Sequence, residues 1–284
     1  MPTVMSCTSV VLAEARWRND MSTNFGATAD DYARFRAGFP DSFFARLAAY
    51  GVGAVGEAAV DLGTGTGALA RGLALRGCRV IGVDPDQRLL DQARQLDEAA
   101  SVNIEYRKGT AENIPLADNC ADLVTAGQCW HWFEGPKAAA EIARILRAQG
   151  HVAIAYFSWL PLPGSVVEAT EKLILQHNPR WSGAGGNGFD LSSLAHLPVA
   201  GFSSFETFSY DLNTPYTPEA WRGRIRASAG IGASLASDEV KSFDAELAQL
   251  LAQSFPGEVL QIPHRVFAII GKYDKALTNK HPTR

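Results

Sequence analysis

The stretch 59–67, which reads A-V-D-L-G-T-G-T-G, constrains the fold of this chain more than any other part. An apolar run of β type ends in glycines at alternate positions, and a helical pattern through Leu69, Leu73 and Ala74 follows at once. Strand, glycine turn and helix in this order predict the front of a nucleotide-binding βαβ unit. Glycine suits such a turn because its backbone reaches positive φ and because a ligand can approach a chain without side chains.

Composition narrows the class of partner. The 284 residues are 46% hydrophobic, enough for a full core, and the net charge of −4 disfavours nucleic acid as a partner. No apolar run reaches the roughly 18 residues of a membrane span. The cysteines lack metal-type spacing and are expected to be free thiols: Cys7, Cys78, Cys120 and Cys129. We therefore expect a cytoplasmic protein with a small-molecule acceptor, no membrane partner and no metal site.

Apolar strands alternate with amphipathic helices after the glycine turn, which predicts an α/β fold. Strands are expected over 58–62, 79–83, 102–107, 121–126, 152–157, 203–212 and 261–271. We expect the last two to pair as an antiparallel hairpin. The predicted organisation is an N-terminal extension (1–28), lid helices (29–56), a nucleotide-binding core (57–158), a glycine-rich cover (159–200), the rest of the core (201–275, with a helical cover insertion at 215–255) and a tail (276–284).

Two aspartates stand beside the glycine turn. Asp61 lies inside an apolar strand, where it either caps loop amides or faces a cationic or hydrogen-donating ligand group. Asp84 ends the second strand about 20 positions after Gly63, the spacing at which a carboxylate commonly accepts from ribose hydroxyls. Asp86 is already available to cap the following helix, which favours the ribose role for Asp84.

Further candidates are each open to a plainer interpretation. Glu112, after Ala111, either meets the edge of a purine or is a solvated loop residue. His131 is a possible general base, although a histidine beside aromatic residues is usually structural. Trp132 is expected to form a hydrophobic wall. The remaining candidates lie on helices, where they either contact a ligand or are ordinary surface residues: Tyr32 and Arg36 as a lid, Arg224 and Arg226 as a grip on an anionic substrate.

Four ordered segments resemble the class I S-adenosylmethionine-dependent methyltransferases. They read V-D-L-G-T-G-T-G (60–67), V-I-G-V-D-P-D (80–86), G-T-A-E-N-I-P-L (109–116) and A-D-L-V-T-A-G-Q-C-W-H-W-F (121–133). The start Y-A-R-F-R-A-G-F-P and the late P-H-R-V-F strand are similar to the small-molecule branch called methyltransferase type 11. The resemblance implies a Rossmann-like seven-stranded sheet in the order 3-2-1-4-5-7-6, with strand 7 antiparallel, flanked by helices and a helical and loop cover.

The resemblance also implies roles for individual residues. The methionine end of the cofactor would be held by Asp61, Gly63, Thr64, Gly65 and Gly67. Asp84 would bind the ribose and Pro85 would lie beside the adenine, with Ala111 and Glu112 at its edge. Gln128 or its neighbours would meet the methionine amine. Tyr32 and Arg36 would close over the cofactor, with Arg36 near its carboxylate.

The resulting hypothesis is methyl transfer from S-adenosylmethionine, by in-line displacement, to an oxygen, nitrogen or carbon of a small molecule, with S-adenosylhomocysteine as product. Orientation supplies most of the rate enhancement, and a base is needed only where the acceptor must lose a proton. Two alternatives remain. One is a non-catalytic cofactor-binding or regulatory protein on the same fold. The other is an NAD-dependent oxidoreductase, which fits the glycine turn and Asp84 but leaves Ala111 and Glu112 unexplained. A homodimer is a further option.

Overall fold

The computed structural model describes Phe35 and residues 37–278. The predicted N-terminal extension (1–28) and most of the predicted tail therefore lie outside the described residues. The two candidate lid residues, Tyr32 and Arg36, also lie outside them, so their proposed contacts stay predictions.

Strands and helices alternate through the first half of the described chain. The strands are β1 (Ala58–Leu62), β2 (Arg79–Asp84), β3 (Glu105–Lys108), β4 (Ala121–Gly127), β5 (Leu146–Trp159), β6 (Phe202–Tyr216) and β7 (Leu260–Tyr273). The helices are α1 (Asp41–Ala49), α2 (Ala68–Ala74), α3 (Gln87–Ala100), α4 (Gly135–Ile145), α5 (Val166–His177), α6 (Pro218–Arg226), α7 (Ser237–Ser254) and α8 (Lys275–Thr278).

The seven strands form one sheet in the order β3-β2-β1-β4-β5-β7-β6. Strands β1 to β5 pair in parallel, and β7 lies antiparallel between β5 and β6. The predicted fold class and strand order are confirmed. Because the five parallel strands point the same way, the turns that follow β1, β2, β4 and β5 gather at one edge of the sheet.

Only β1 has the predicted bounds, and β3, β5 and β6 differ most. Strand β5 spans Leu146–Trp159 rather than 152–157, because β4 pairs with its start and β7 with its end. Strand β3 begins at Glu105 rather than at residue 102, because Val102 is still held by the end of α3. Its N–H donates to the Asp97 carbonyl at 3.1 Å, after Ser101 takes a left-handed conformation. Strand β6 continues past residue 212, because β7 pairs with it as far as Tyr216.

Helices cover both faces of the sheet. Helices α1, α2 and α3 pack on one face through Phe43, Leu73 and Leu90. Helix α4 packs on the other face through Ile142, beside the fully buried Trp130. The two predicted cover segments meet in a third apolar cluster, where α5 packs with α6 and α7; the cluster contains Val167, Ile174, Trp221, Ile225, Phe243 and Leu247. One helical cover is therefore built from two parts of the chain that are distant in sequence.

Within residues 37–278, no helix combines the length and the apolar content that crossing a bilayer requires. The described cysteines, Cys78, Cys120 and Cys129, form no disulfide with one another.

Candidate functional site

The glycine turn after β1 is built on the buried carboxylate of Asp61. Its two oxygens accept hydrogen bonds from the hydroxyls of Thr64 and Thr125, each at 2.7 Å. Thr64 belongs to the turn and Thr125 to β4, so Asp61 joins the turn to the neighbouring strand. Asp61 is therefore bonded within the protein through threonine hydroxyls rather than through the loop amides of the capping interpretation, and its contact with a ligand stays a prediction. Gly63, at φ +59°, packs against Cys129, where a Cβ would lie 2.9 Å from the sulfur.

Burial raises the pKa of the Asp61 carboxyl to about 6, against the lowering effect of its hydrogen bonds. Because the folded protein prefers the protonated form, this group contributes stability that is complete below about pH 4 and is lost as pH rises through 6. The free energy of unfolding of Asp61→Asn minus that of the wild type should therefore increase by about 3 kcal/mol between pH 4 and pH 7. Urea unfolding of both proteins at several pH values measures this difference. A difference that does not change with pH would contradict the raised pKa of Asp61.

Asp84 ends β2 and faces the same turn. It is only 6% exposed. Its two oxygens accept from the backbone N–H groups of Gly65 and Asp86, each at 2.9 Å. A carboxylate offers about four lone pairs, so two remain for further donors such as a pair of vicinal hydroxyls. Asp86 accepts from the Arg88 N–H and caps α3, as the sequence predicted. Burial raises the pKa of the Asp84 carboxyl.

Residues of the neighbouring helices and of β3 stabilise the conformation of the glycine turn. Arg71, on α2, donates to the Asp97 carboxylate at 2.8 Å and to the Thr66 carbonyl at 3.0 Å. Gly67 adopts φ +76° and lies against the Tyr106 ring system of β3 and Ala93 of α3. The conformation of the turn is therefore fixed by α2, α3 and β3 together.

The predicted adenine-binding residues lie after β2 and β3. Pro85 follows Asp84 directly, and Ala111 is buried in the core cluster beneath the loop after β3. Glu112 is half-buried, and one of its oxygens accepts from the Glu134 backbone N–H at 2.7 Å. This bond ties the loop to the start of α4, so Glu112 has a structural contact besides the predicted one.

A cavity of about 300 Å³ opens at the carboxyl ends of β4 and β5. The residues that line this cavity include none of the glycine turn. Cys129, which follows the lining residue Gln128, packs on Gly63, and its thiol donates to the Leu62 carbonyl at 3.2 Å. The walls of the cavity come from the turn after β4, the end of β5, the glycine-rich cover and α6: Gln128, His131, Tyr156, Phe157, Ser158, Trp159, Gly183, Gly186, Asn187, Gly188, Phe189, Asp190 and Arg224. Of the sequence candidates, the structure brings Gln128, His131 and Arg224 together here.

Gln128 has an unusual backbone and a tethered side chain. Its φ is +60°, and its side-chain N–H donates to the Phe157 carbonyl at 2.9 Å. Its amide oxygen is therefore the group that remains to accept from a ligand amine.

The other candidate substrate residues differ in their surroundings. The Arg224 guanidinium lies over the Trp159 ring at 4.8 Å, at the cavity. Arg226 lies outside the cavity lining and pairs with Asp244 at 2.7 Å, joining α6 to α7. Trp132 is 41% exposed and also lies outside the lining. Substrate roles for the last two stay predictions.

The cover is held over the cavity by the buried carboxylate of Glu171, which is 5% exposed. Its oxygens accept from the Trp159 indole N–H and from the Gly185 N–H, each at 2.8 Å. On the other side of the loop, Arg265 donates to the Asn187 carbonyl at 2.9 Å. Burial raises the pKa of the Glu171 carboxyl. Hydrogen bonds at Gly185 and at Asn187 thus hold the glycine-rich segment 183–188 in place.

We expect Glu171→Ala to loosen this cover, because the N–H groups of Trp159 and Gly185 lose a buried, charged acceptor. The loss is about 2–3 kcal/mol of local stability, or at least about a tenfold loss of hydrogen-exchange protection in segment 183–188. Glu168→Ala is the matched control: Glu168 lies on the same helix but is half-buried, and it pairs with Lys172 and accepts from the Gly164 N–H, outside segment 183–188. Equal exchange in both variants would contradict the role of Glu171.

Sequence reasoning missed four residues of this site: Tyr156, Trp159, Glu171 and Asp190. Tyr156 donates to Asp190 at 2.7 Å across 34 positions of sequence, and Trp159 meets Glu171 across 12. One signal was available for Tyr156. It lies inside an apolar strand, and a buried tyrosine hydroxyl usually has a partner.

Comparison with known proteins supplies the family. Residues 60–154 match the family described as a methyltransferase domain. Over this segment the chain is similar to methyltransferase domains. The segment contains the end of β1, the glycine turn, β2 to β4, Asp84 and most of β5.

Curated methyltransferases are similar to this chain over about half of its length. An uncharacterized methyltransferase of Mycobacterium tuberculosis (strain ATCC 25618 / H37Rv) is 38% identical over 139 residues, which is 49% of this chain and 54% of the relative. The malonyl-[acyl-carrier protein] O-methyltransferase of Pectobacterium atrosepticum is 32% identical over 146 residues, which is 51% of this chain and 56% of that protein. The match spans about half the length of these curated relatives.

The fold has a solved counterpart in a phosphoethanolamine N-methyltransferase 2 of Haemonchus contortus, crystallised with S-adenosyl-L-methionine. The TM-score is 0.51 at 18% identity, over 96% of this chain and 61% of that one. This likeness concerns the fold alone.

Proposed function

We propose that this protein is an S-adenosylmethionine-dependent methyltransferase that acts on a small-molecule acceptor. The observation that carries the proposal is the buried carboxylate of Asp84. Within a methyltransferase domain, it is bonded to the glycine turn through Gly65 and keeps lone pairs for a ribose. The neighbouring cavity, at the ends of β4 and β5, then receives the acceptor.

The residues of the site fit the cofactor. Asp84 holds the ribose, and the glycine turn lies along the methionine end. Pro85 and Ala111 lie beside the adenine, and the Gln128 amide oxygen accepts from the amine. When bound, the sulfonium supplies an electrophilic methyl group. The protein's part is to place the acceptor in line with it and to exclude water, and orientation of this kind lowers a barrier by about 7–11 kcal/mol.

Two further proposals concern the cellular location and the oligomeric state of the protein. A cytoplasmic location is supported by the absence of disulfides among the described cysteines, since oxidising compartments favour paired ones. The predicted homodimer is open to test by sedimentation of the full chain.

Calorimetric titration with S-adenosylhomocysteine and with NADH tests the function. We expect S-adenosylhomocysteine to bind one site per chain and NADH to leave it undisplaced. Binding of NADH alone would favour the oxidoreductase. Binding of S-adenosylhomocysteine without transfer of labelled methyl groups to any member of a broad acceptor panel would favour the non-catalytic alternative.

A further inference from the structure

The cavity contains a hydrogen-bonded pair that connects β5 with the cover. The Tyr156 hydroxyl donates to one Asp190 oxygen at 2.7 Å, and both residues line the cavity. The other Asp190 oxygen accepts from the N–H and the hydroxyl of Ser192, at 2.9 and 2.6 Å. Asp190 is thereby fixed in orientation, with one oxygen dedicated to the tyrosine.

The Tyr156 oxygen keeps an acceptor position. The His131 backbone N–H donates to it, and the hydroxyl proton points to Asp190. A hydroxyl has two lone pairs, so one remains to accept from a molecule in the cavity. Tyr156 itself is 6% exposed, which leaves only a small part of the side chain within reach of a ligand.

We propose that Tyr156 and Asp190 form a proton relay and that the methyl acceptor is a neutral hydroxyl compound of phenol type. This proposal rests on the methyltransferase function proposed above. As the acceptor oxygen forms its bond to the methyl carbon and the carbon–sulfur bond breaks, the acceptor proton passes to the Tyr156 oxygen. The Tyr156 proton passes at the same time to Asp190. The products are the methyl ether, the neutral thioether and a protonated Asp190, which returns its proton to solvent.

The cavity carries charges of both signs, the Asp190 carboxylate and the guanidinium of Arg224, which lies over Trp159. A carboxylate substrate has already lost its proton at neutral pH and needs no proton acceptor. A neutral hydroxyl compound must lose its proton as it is methylated, which is the step that the Tyr156–Asp190 pair serves.

The lining and the size of the cavity favour a small aromatic molecule. Phe157, Trp159 and Phe189 are among its lining residues, and its volume of about 300 Å³ is at the small end for ligand sites. Tyr156 acts through a relay rather than as a tyrosinate, since burial and the Asp190 charge hold its pKa well above the ordinary range. Tyr156 is thus a catalytic residue and Asp190 a positioning residue that takes the proton.

The test uses three probes of the same shape, titrated into the full chain with saturating S-adenosylhomocysteine: 4-nitrophenol, its methyl ether 4-nitroanisole, and 4-nitrobenzoate. We expect 4-nitrophenol to bind about tenfold tighter than the other two, as one added hydrogen bond gives. Tyr156→Phe should abolish this preference and leave the affinity for 4-nitroanisole unchanged. Tyr273→Phe, a buried tyrosine of the same apolar cluster outside the cavity lining, is the matched control and should change neither.

A spectroscopic readout separates the relay from a structural role. The ionised form of 4-nitrophenol absorbs at longer wavelength than the neutral form. We expect the negative Asp190 to keep the bound probe neutral to higher pH than the free probe, and Asp190→Asn to lower that apparent pKa. With S-adenosylmethionine, Tyr156→Phe should lower kcat for 4-nitrophenol about 10²-fold or more, with unchanged affinity for S-adenosylhomocysteine.

Several outcomes would overturn the relay: no preference for 4-nitrophenol, tighter binding of 4-nitrobenzoate, or the same probe spectrum in wild type and Asp190→Asn. Transfer that survives Tyr156→Phe but is lost in His131→Gln would assign the proton to His131 instead. Each of these results leaves S-adenosylhomocysteine binding intact. A protein that failed to bind S-adenosylhomocysteine would instead count against the proposed function.

Discussion

Replacing Asp84 by alanine should lower the affinity for S-adenosylhomocysteine at least about 100-fold. The carboxylate is buried at the end of β2 and retains acceptor positions for two ribose hydroxyls. Hydrogen bonds to a charged group contribute about 1.5–3 kcal/mol each, so the loss of two corresponds to about 3 kcal/mol or more and at least about a 100-fold loss of affinity. Calorimetric titration of both proteins measures the change.

Asp86→Ala is the matched control for this experiment. Asp86 lies two positions away, in the same turn, but its carboxylate caps α3 by accepting from the Arg88 N–H. Its removal should cost about 1 kcal/mol of stability and leave the affinity unchanged. Because the Asp84 carboxylate also holds the Gly65 N–H, Asp84→Asn is a useful third variant. Its amide oxygen keeps one acceptor, so we expect an intermediate affinity. Wild-type affinity in Asp84→Ala would refute the ribose assignment.

Replacing Gly67 by alanine should destabilise the protein by about 3 kcal/mol or more and weaken cofactor binding with it. At φ +76° an L residue costs about 1–2 kcal/mol, and the added Cβ would also press on the Tyr106 hydroxyl and on Ala93. Since Gly67 ends the turn and precedes α2, relief of this clash would move the turn itself. Urea unfolding and S-adenosylhomocysteine titration measure the two effects.

Gly56→Ala separates backbone strain from the clash. Gly56 adopts a similar φ of +85°, but a Cβ there would meet nothing within 4 Å. The Gly56→Ala substitution should therefore lower the free energy of unfolding only by the backbone strain, about 1–2 kcal/mol, and leave S-adenosylhomocysteine binding unchanged. In the Gly67→Ala background, Tyr106→Phe removes the oxygen nearest the new methyl group and should restore part of the lost stability. Equal losses at the two glycines would show that the Tyr106 contact contributes nothing.

Much of the fold could be predicted because its determinants are local in sequence. The glycine turn, the apolar strands and the caps of the following helices follow from residue type and spacing within a few positions. Asp86 was predicted correctly as the cap of α3 for this reason. The strand order came from the family resemblance, and the sheet confirms it. The exact ends of β3 and β6 were wrong, because a helix end and a pairing partner distant in sequence decide them.

Part of the geometry at the predicted cofactor site could also be inferred from spacing, whereas the cofactor contacts themselves stay predictions. Asp84 and Gly65 are brought together by the βαβ unit itself, so spacing alone indicated that they share a site. Glu112 shows the limit of such reasoning. Its position suggested a ligand contact, and only the packing of α4 revealed that Glu134 already donates to its carboxylate.

The sequence by itself determined a methyltransferase-type core, the edge of the sheet at which the candidate site is predicted and the aspartate at the end of β2. Only the tertiary structure decided which residues line the cavity beside this edge. The contacts of Tyr156 with Asp190, and of Glu171 with Gly185, join β5, α5 and a loop that carries no periodic pattern. The physical reason is that strand and helix patterns record burial on one element, whereas a cavity is defined by side chains that meet from several elements.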